Sequence, residues 1–129
     1  MPNATIEVLY PYSRAEEEGL VEAVHAAMVE ALKVPERDRT VRLVVHEPHR
    51  FATPPGRSNR YTLIEIDLFA GRSPGAKKAL YQALVRNLGR LDIPADHITV
   101  LLRESPAENW GVRGGMPASE VDLGFSVNV

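Results

Sequence analysis

Cysteine is absent from the 129-residue chain, aromatic residues make up only 6% of it, and no apolar run approaches the roughly 20 residues that cross a bilayer. Without cysteine there is no disulfide framework, thiol nucleophile or thiolate metal site. Without a long apolar run, or a basic start followed by an apolar stretch, neither a membrane span nor a secretory leader is expected, and the cytoplasm is the expected compartment. Charge of one sign is also lacking. The formal net charge is -2 with the basic residues scattered, which argues against a nucleic-acid partner. What is present is ordinary for a soluble globular protein: 44% hydrophobic and 25% charged residues. The length suits one domain over 1–129.

The chain reads as one unit written twice, about 3–50 and 60–105, with a C-terminal tail. Thr5 to Leu9 is a short β-rich run. Leu20, Val21, Val24, Ala27, Met28, Ala31 and Leu32 then recur as one helix face, which Val34-Pro35 ends. Thr40 to Val45 is a second, β-branched strand, followed by a loop from Pro48 to Asn59. The order repeats with a strand at Leu63 to Leu68, a helix at Pro74 to Leu91 and a strand at Ile98 to Leu102. Ile64 stands to Ile6, and Pro94 to Pro35, at nearly the same offset.

Strand, helix and strand within about 40 residues form a βαβ crossover with parallel strands. Two crossovers predict an α/β (α+β) fold with a four-stranded mixed sheet and two helices on one face. The other face, carrying Ile6, Val8, Leu43, Ile64 and Ile66 or their alternates, then needs a cover, which a symmetric oligomer would supply. Val121 to Val129 is read as an edge strand or intersubunit ribbon.

Three local patterns resemble the tautomerase superfamily: Met1-Pro2 before a strand; Ala-Gly-Arg-Ser at 70–73 opening a helix that carries Lys77-Lys-Ala-Leu-Tyr81; and Glu108-Asn-Trp-Gly-Val-Arg-Gly-Gly115. In addition, the segment from Ala23 to Arg39 resembles the first-helix region of malonate semialdehyde decarboxylases. The resemblance covers nearly all of the chain. It implies a βαββαβ homotrimer working without cofactor or metal on a small carboxylate substrate, through the secondary amine of Pro2 exposed by removal of Met1. No nucleic-acid or membrane partner is implied.

A free proline amine holds or releases a proton, and desolvation or neighbouring cations bring its affinity toward neutral pH. Arg72, after a glycine at a helix start, is suited to a carboxylate; the alternative is a solvated first-turn arginine. Asp38 falls where decarboxylase-like members place an aspartate near the proline; the alternative is a loop residue paired with Arg37 or Arg39. Arg42 is a second candidate for the substrate carboxylate or carbonyl, or else a solvent-facing strand residue. His25 sits on the apolar helix face, as a core residue or a substrate contact. Trp110 and Phe51 are candidate walls for a planar dienol, with a trimer contact the equal alternative for Trp110.

His46, Glu47 and His49 are close in sequence, but alternate strand side chains diverge and no fourth ligand is evident, so no metal is assigned. Decarboxylase-like members carry a second arginine two positions before this one, where Ala70 stands. That departure favours keto-enol tautomerisation of 2-hydroxydienoates or 2-keto acids over a malonate semialdehyde decarboxylase or hydratase reaction. A non-catalytic trimeric binding protein is the reading from another class.

Overall fold

The computed structural model describes residues 2–129; Met1, whose removal the sequence reading requires, lies outside the described residues. The first helix starts where the chain supplies a reciprocal cap. Ser13 Oγ accepts from the Glu16 N–H at 3.2 Å, and Glu16 Oε1 accepts from the Ser13 N–H at 2.8 Å. This begins α1 (Arg14–Leu32), which ends at Lys33 in the left-handed region, φ 57, before Val34 and Pro35. The second, α2 (Pro74–Gly89), uses Ser73 as cap and Pro74 in the first turn, where a missing N–H costs nothing. It stops at Gly89, short of the expected Leu91, because Arg90 to Asp92 turn the chain, with Asp92 at φ 64.

Four strands, β1 (Asn3–Val8), β2 (Thr40–Val45), β3 (Thr62–Phe69) and β4 (Ile98–Ser105), pair in the order β2-β1-β3-β4. Each helix crosses between parallel partners, β1 with β2 and β3 with β4, and the two units meet through antiparallel β1 and β3. This is the mixed sheet with helices on one face that the repeat predicts. Both second-unit strands run longer than their apolar runs. In β4 the charged Arg103 and Glu104 continue the ladder opposite Asp67 and Leu68.

The core lies between that face and the helices. Ala4, Ile6, Val8, Ile64, Ile66 and Leu68 point into it. From the helices come Leu20, Val24, Met28, Leu32, Leu80, Leu84 and Leu88, all fully buried. Truncating one of them, as in Leu20→Ala, costs about 2–5 kcal/mol.

This corrects the expectation of an apolar face awaiting a cover. Ile6, Val8, Ile64 and Ile66 face the helices, and the other face presents mainly polar alternates, among them Asn3, Thr5, Glu7, Glu65, Asp67 and Arg103, with Val44 and Leu101 exposed beside them. There Arg103 bonds Glu65 and Asp67, each at 2.9 Å, and Arg42 donates to Thr5 Oγ1 at 2.8 Å.

The C-terminal tail adds no edge strand to this sheet. Gly111–Val112 (β5) pairs with Met116–Pro117 (β6), while Val121 to Val129 forms no strand. That last stretch instead returns to α2, where the Ser73 N–H donates to the Val129 carbonyl at 3.0 Å. Among the described residues no helix is long and apolar enough to cross a membrane.

Candidate active site

Pro2 is buried and immediately precedes central strand β1. Asn3 pairs with Thr40 on one side and Asp67 on the other, so Pro2 sits one step beyond, between the Asp38-Arg39 entry to β2 and the Leu68-Phe69 exit from β3. Its parity is that of buried Ala4 and Ile6, so it belongs to the helix side of the sheet.

Asp38 is held by the turn that starts β2, its N–H donating to the Pro35 carbonyl at 3.0 Å. Its Oδ2 is buried with no hydrogen-bond partner. His25, on the buried face of α1, reaches the same turn, where Nε2 lies 2.9 Å from the Glu36 carbonyl. A carbonyl only accepts, so this nitrogen carries the proton. His25 therefore pins the chain two residues before Asp38, and its buried Nδ1 is unpartnered.

On the opposite flank, Gly71 adopts φ 131, which a side chain rarely tolerates, and turns the chain between β3 and α2. A Cβ there would meet the Val127 carbonyl at 3.1 Å. The turn folds Arg72 inward until only 5% of it is exposed, and Nη1 donates to the Phe69 carbonyl at 3.0 Å. Nε and Nη2 are buried without partners. Burial lowers the proton affinity of this guanidinium, and nearby Glu104 opposes the shift. Glu104 is itself ion-paired with Lys77. A buried cation with two unmet donors has the chemistry to receive an anion with two acceptor oxygens, such as a carboxylate.

Trp110 closes this flank. Its Nε1 donates to Ser105 Oγ at 2.8 Å and its ring meets Phe69 edge-on at 5.0 Å. Phe69 thus links the indole, through its ring, to Arg72, through its carbonyl. Ser105, absent from the sequence reading, is signalled only by its register opposite Phe69.

Pro2, Asp38, Arg72 and Trp110 therefore occupy one end of the sheet. Arg42 does not join them; it lies on the opposite face with Thr5. Phe51 lies at the other end, its ring 5.0 Å from His46 and 6.0 Å from Tyr61. His46 is engaged by Glu7 Oε1 at 2.9 Å. A groove of about 410 Å³ runs elsewhere, between α1 and edge strand β2, past Glu18, Glu22, Arg39 and Val45. Arg39 and Glu22 neutralise each other across it, and none of Pro2, Asp38, Arg72 and Trp110 lines it.

Comparison with known proteins accords with this geometry. A family model described as tautomerase enzyme matches residues 38–113. A probable tautomerase of Ralstonia nicotianae is 38% identical over 53 residues, covering 40% of this chain and 76% of the relative. Among solved structures, a malonate semialdehyde decarboxylase is 29% identical over 88% of this chain and 92% of its own, with a TM-score of 0.81. A fused 4-OT, solved as an asymmetric trimer, superposes with a TM-score of 0.82 at 21% identity over 92% of this chain and 97% of its own.

Proposed function

The chain belongs to the tautomerase superfamily, and from that premise we propose that it is a keto-enol tautomerase of small 2-hydroxydienoates or 2-keto acids, with Pro2 as the proton-transferring group. The observation that carries the proposal is Arg72, a nearly buried guanidinium with two unpartnered donors at the same end of the sheet as Pro2.

The steps follow from those parts. With Met1 removed, Pro2 is a secondary amine in a buried setting, where desolvation disfavours the ammonium and leaves the amine free to accept a proton. It takes that proton from the enol hydroxyl or α-carbon and returns it to the other position of the conjugated system. Arg72 binds the substrate carboxylate and offsets the charge that develops on oxygen in the transition state. Trp110 supplies a flat wall for the planar intermediate. No cofactor or metal enters this scheme. The protein is read as a cytoplasmic homotrimer, by analogy with the trimeric fused 4-OT.

A second reading is a decarboxylase or hydratase of a 3-oxo acid. It is favoured by the malonate semialdehyde decarboxylase similarity and by the unpartnered Asp38 Oδ2 beside Pro2, which could orient a water. Ala70, where the sequence resemblance to decarboxylase-like members implies a second arginine, weighs against it.

Intact mass, with turnover of phenylpyruvate enol, 2-hydroxymuconate and malonate semialdehyde in wild type and Pro2→Ala, decides among these. Loss of Met1 and isomerisation that disappears in the variant is the expected result. Carbon dioxide release from malonate semialdehyde as the dominant activity would establish the second reading. Retained methionine with no turnover would indicate a binding protein.

A further inference from the structure

At the opposite end of the sheet, roughly 20 Å from Pro2 at about 3.3 Å per strand residue, three side chains outside the proposed tautomerase site form one hydrogen-bonded line. The connection between β2 and β3 passes over the start of β4, where a single 3-10 turn, Ala95–His97, presents a buried histidine. Ser58 Oγ lies 3.0 Å from His97 Nε2, and His97 Nδ1 lies 2.8 Å from Asp96 Oδ1. Ser58 itself is exposed.

Neighbouring groups settle the proton positions. The backbone N–H of Ser58 also donates to Nε2, at 2.9 Å, so that nitrogen is the acceptor and the ring proton sits on Nδ1, given to Asp96. The Arg60 N–H donates to Ser58 Oγ at 3.2 Å, which leaves the hydroxyl proton to point at Nε2. Arg57 Nε donates to the Asp96 carbonyl at 2.5 Å and fixes the turn. The hydrogen bond from His97 holds the Asp96 carboxyl below its ordinary range. Nucleophile, base and orienting carboxylate thus all lie within hydrogen-bond reach, the arrangement that activates a serine on unrelated folds.

We infer that Ser58, His97 and Asp96 form a second reactive centre, an acyl-transfer site for small, activated carboxylic esters. Ser58 Oγ attacks the ester carbonyl carbon, forming a C–O bond while its proton passes to His97 Nε2. Once protonated, Nε2 no longer accepts from the Ser58 N–H. That amide is released as the former carbonyl oxygen of the ester becomes the oxyanion, and a nucleophile's own N–H is a known oxyanion donor. Collapse of the intermediate breaks the bond to the leaving alkoxide, which takes the proton from Nε2. Water, deprotonated by Nε2, then attacks the acyl carbon, and the bond to Ser58 Oγ breaks as Oγ takes that proton back from Nε2, releasing the free acid. Because Ser58 stands exposed on a loop, the site suits short acyl groups with good leaving groups.

The test begins with the wild-type protein, treated with a fluorophosphonate and mapped by peptide mass. A phosphonyl adduct on Ser58 is expected, and an unmodified Ser58, under conditions that label a control serine hydrolase, overturns the inference without relying on any variant. Hydrolysis of p-nitrophenyl acetate is then compared between Pro2→Ala and Pro2→Ala with Ser58→Ala or His97→Gln, so that acylation of the proline amine does not contribute. Losses of about 100-fold are expected in both double variants, and equal rates would refute the site. Ser58→Ala alone should leave isomerisation of phenylpyruvate enol unchanged, which separates this centre from the proposed tautomerase site.

Discussion

The two βαβ units share a topology but begin their helices differently. At α1 the N-terminal amides are served by Ser13, and Glu16 and Glu17 place negative charge in the first turn. At α2 Ser73 supplies the cap, but the first turn has no acid, and Gly71 and Arg72 precede it with Arg72 turned into the protein. Both ends satisfy the general demand that a helix start meet its orphan N–H groups. The first adds its own carboxylate, Glu16, which accepts from the Ser13 N–H and makes that end self-sufficient and unattractive to an anion. The second has no carboxylate of its own and keeps a buried guanidinium half-satisfied. The first unit's start is therefore self-contained, and the second's leaves a cation open, as the proposed carboxylate-binding role of Arg72 requires.

The sharpest way to break that contrast is to remove the cation. Arg72→Met should lower kcat/KM for a 2-keto acid enol by about 100- to 1,000-fold, the usual cost of losing one transition-state donor of this kind. The folded protein should not suffer in proportion, because a buried charge with unmet hydrogen bonds contributes little net stability and an apolar replacement is often neutral or better. Thermal unfolding of Arg72→Met at or above the wild-type midpoint, alongside collapsed turnover, is the expected pair of results. Equal losses in both would make Arg72 a structural residue.

A gentler test gives the second helix the carboxylate of the first. Ala76 stands where Glu16 stands, three residues after the capping serine, and its N–H already donates to Ser73 Oγ at 3.1 Å. Ala76→Glu should complete the reciprocal cap and raise stability by about 0.5 kcal/mol. The same charge near Arg72 should raise KM for an anionic substrate several-fold while changing kcat less. An unchanged KM would place the carboxylate elsewhere.

How far this contrast was legible in the sequence depends on the range of the signal. The crossovers were readable because β-branched runs and helical periodicity are local; β2 spans the very residues, Thr40–Val45, that its composition marks. Arg72 stood out because Gly71 and Ser73-Pro74 announce a turn and a helix start. Which residues face the helices was less legible, since the apolar alternation of Ile6, Val8, Ile64 and Ile66 establishes a shared face without saying which one the helices cover. The tail reads wrongly as an edge strand for the opposite reason. Val121 to Val129 has strand-like composition, but its backbone groups find the Ser73 amide before any strand edge. Ser58 and His97 lie 39 residues apart in irregular segments, and no periodicity connects them. Phe51 and Arg42 carried the right chemistry for a wall and a cation, but only register and fold direction place one at the far end and the other on the far face.

The smallest effect on turnover is expected at the self-sufficient helix start. Ser13→Ala should cost about 1 kcal/mol, the typical value for a lost N-cap, with turnover unaffected because the cap lies in the first unit's helix. Glu16→Gln isolates the charge, since glutamine can still accept from the Ser13 N–H. The Glu16 carboxyl is lowered from 4.5, first by its hydrogen bond from the Ser13 backbone and then by the Ser13 side chain. A depressed acid contributes stability that is fully present above its unfolded pKa and is lost as pH falls through the folded one. The wild-type advantage in unfolding midpoint over Glu16→Gln should therefore hold at pH 7 and shrink as pH drops below about 4.5. An advantage unchanged down to pH 3 would mean that the ionised carboxylate adds nothing beyond its hydrogen bond, and the first unit's claim to a charge-stabilised start would fail.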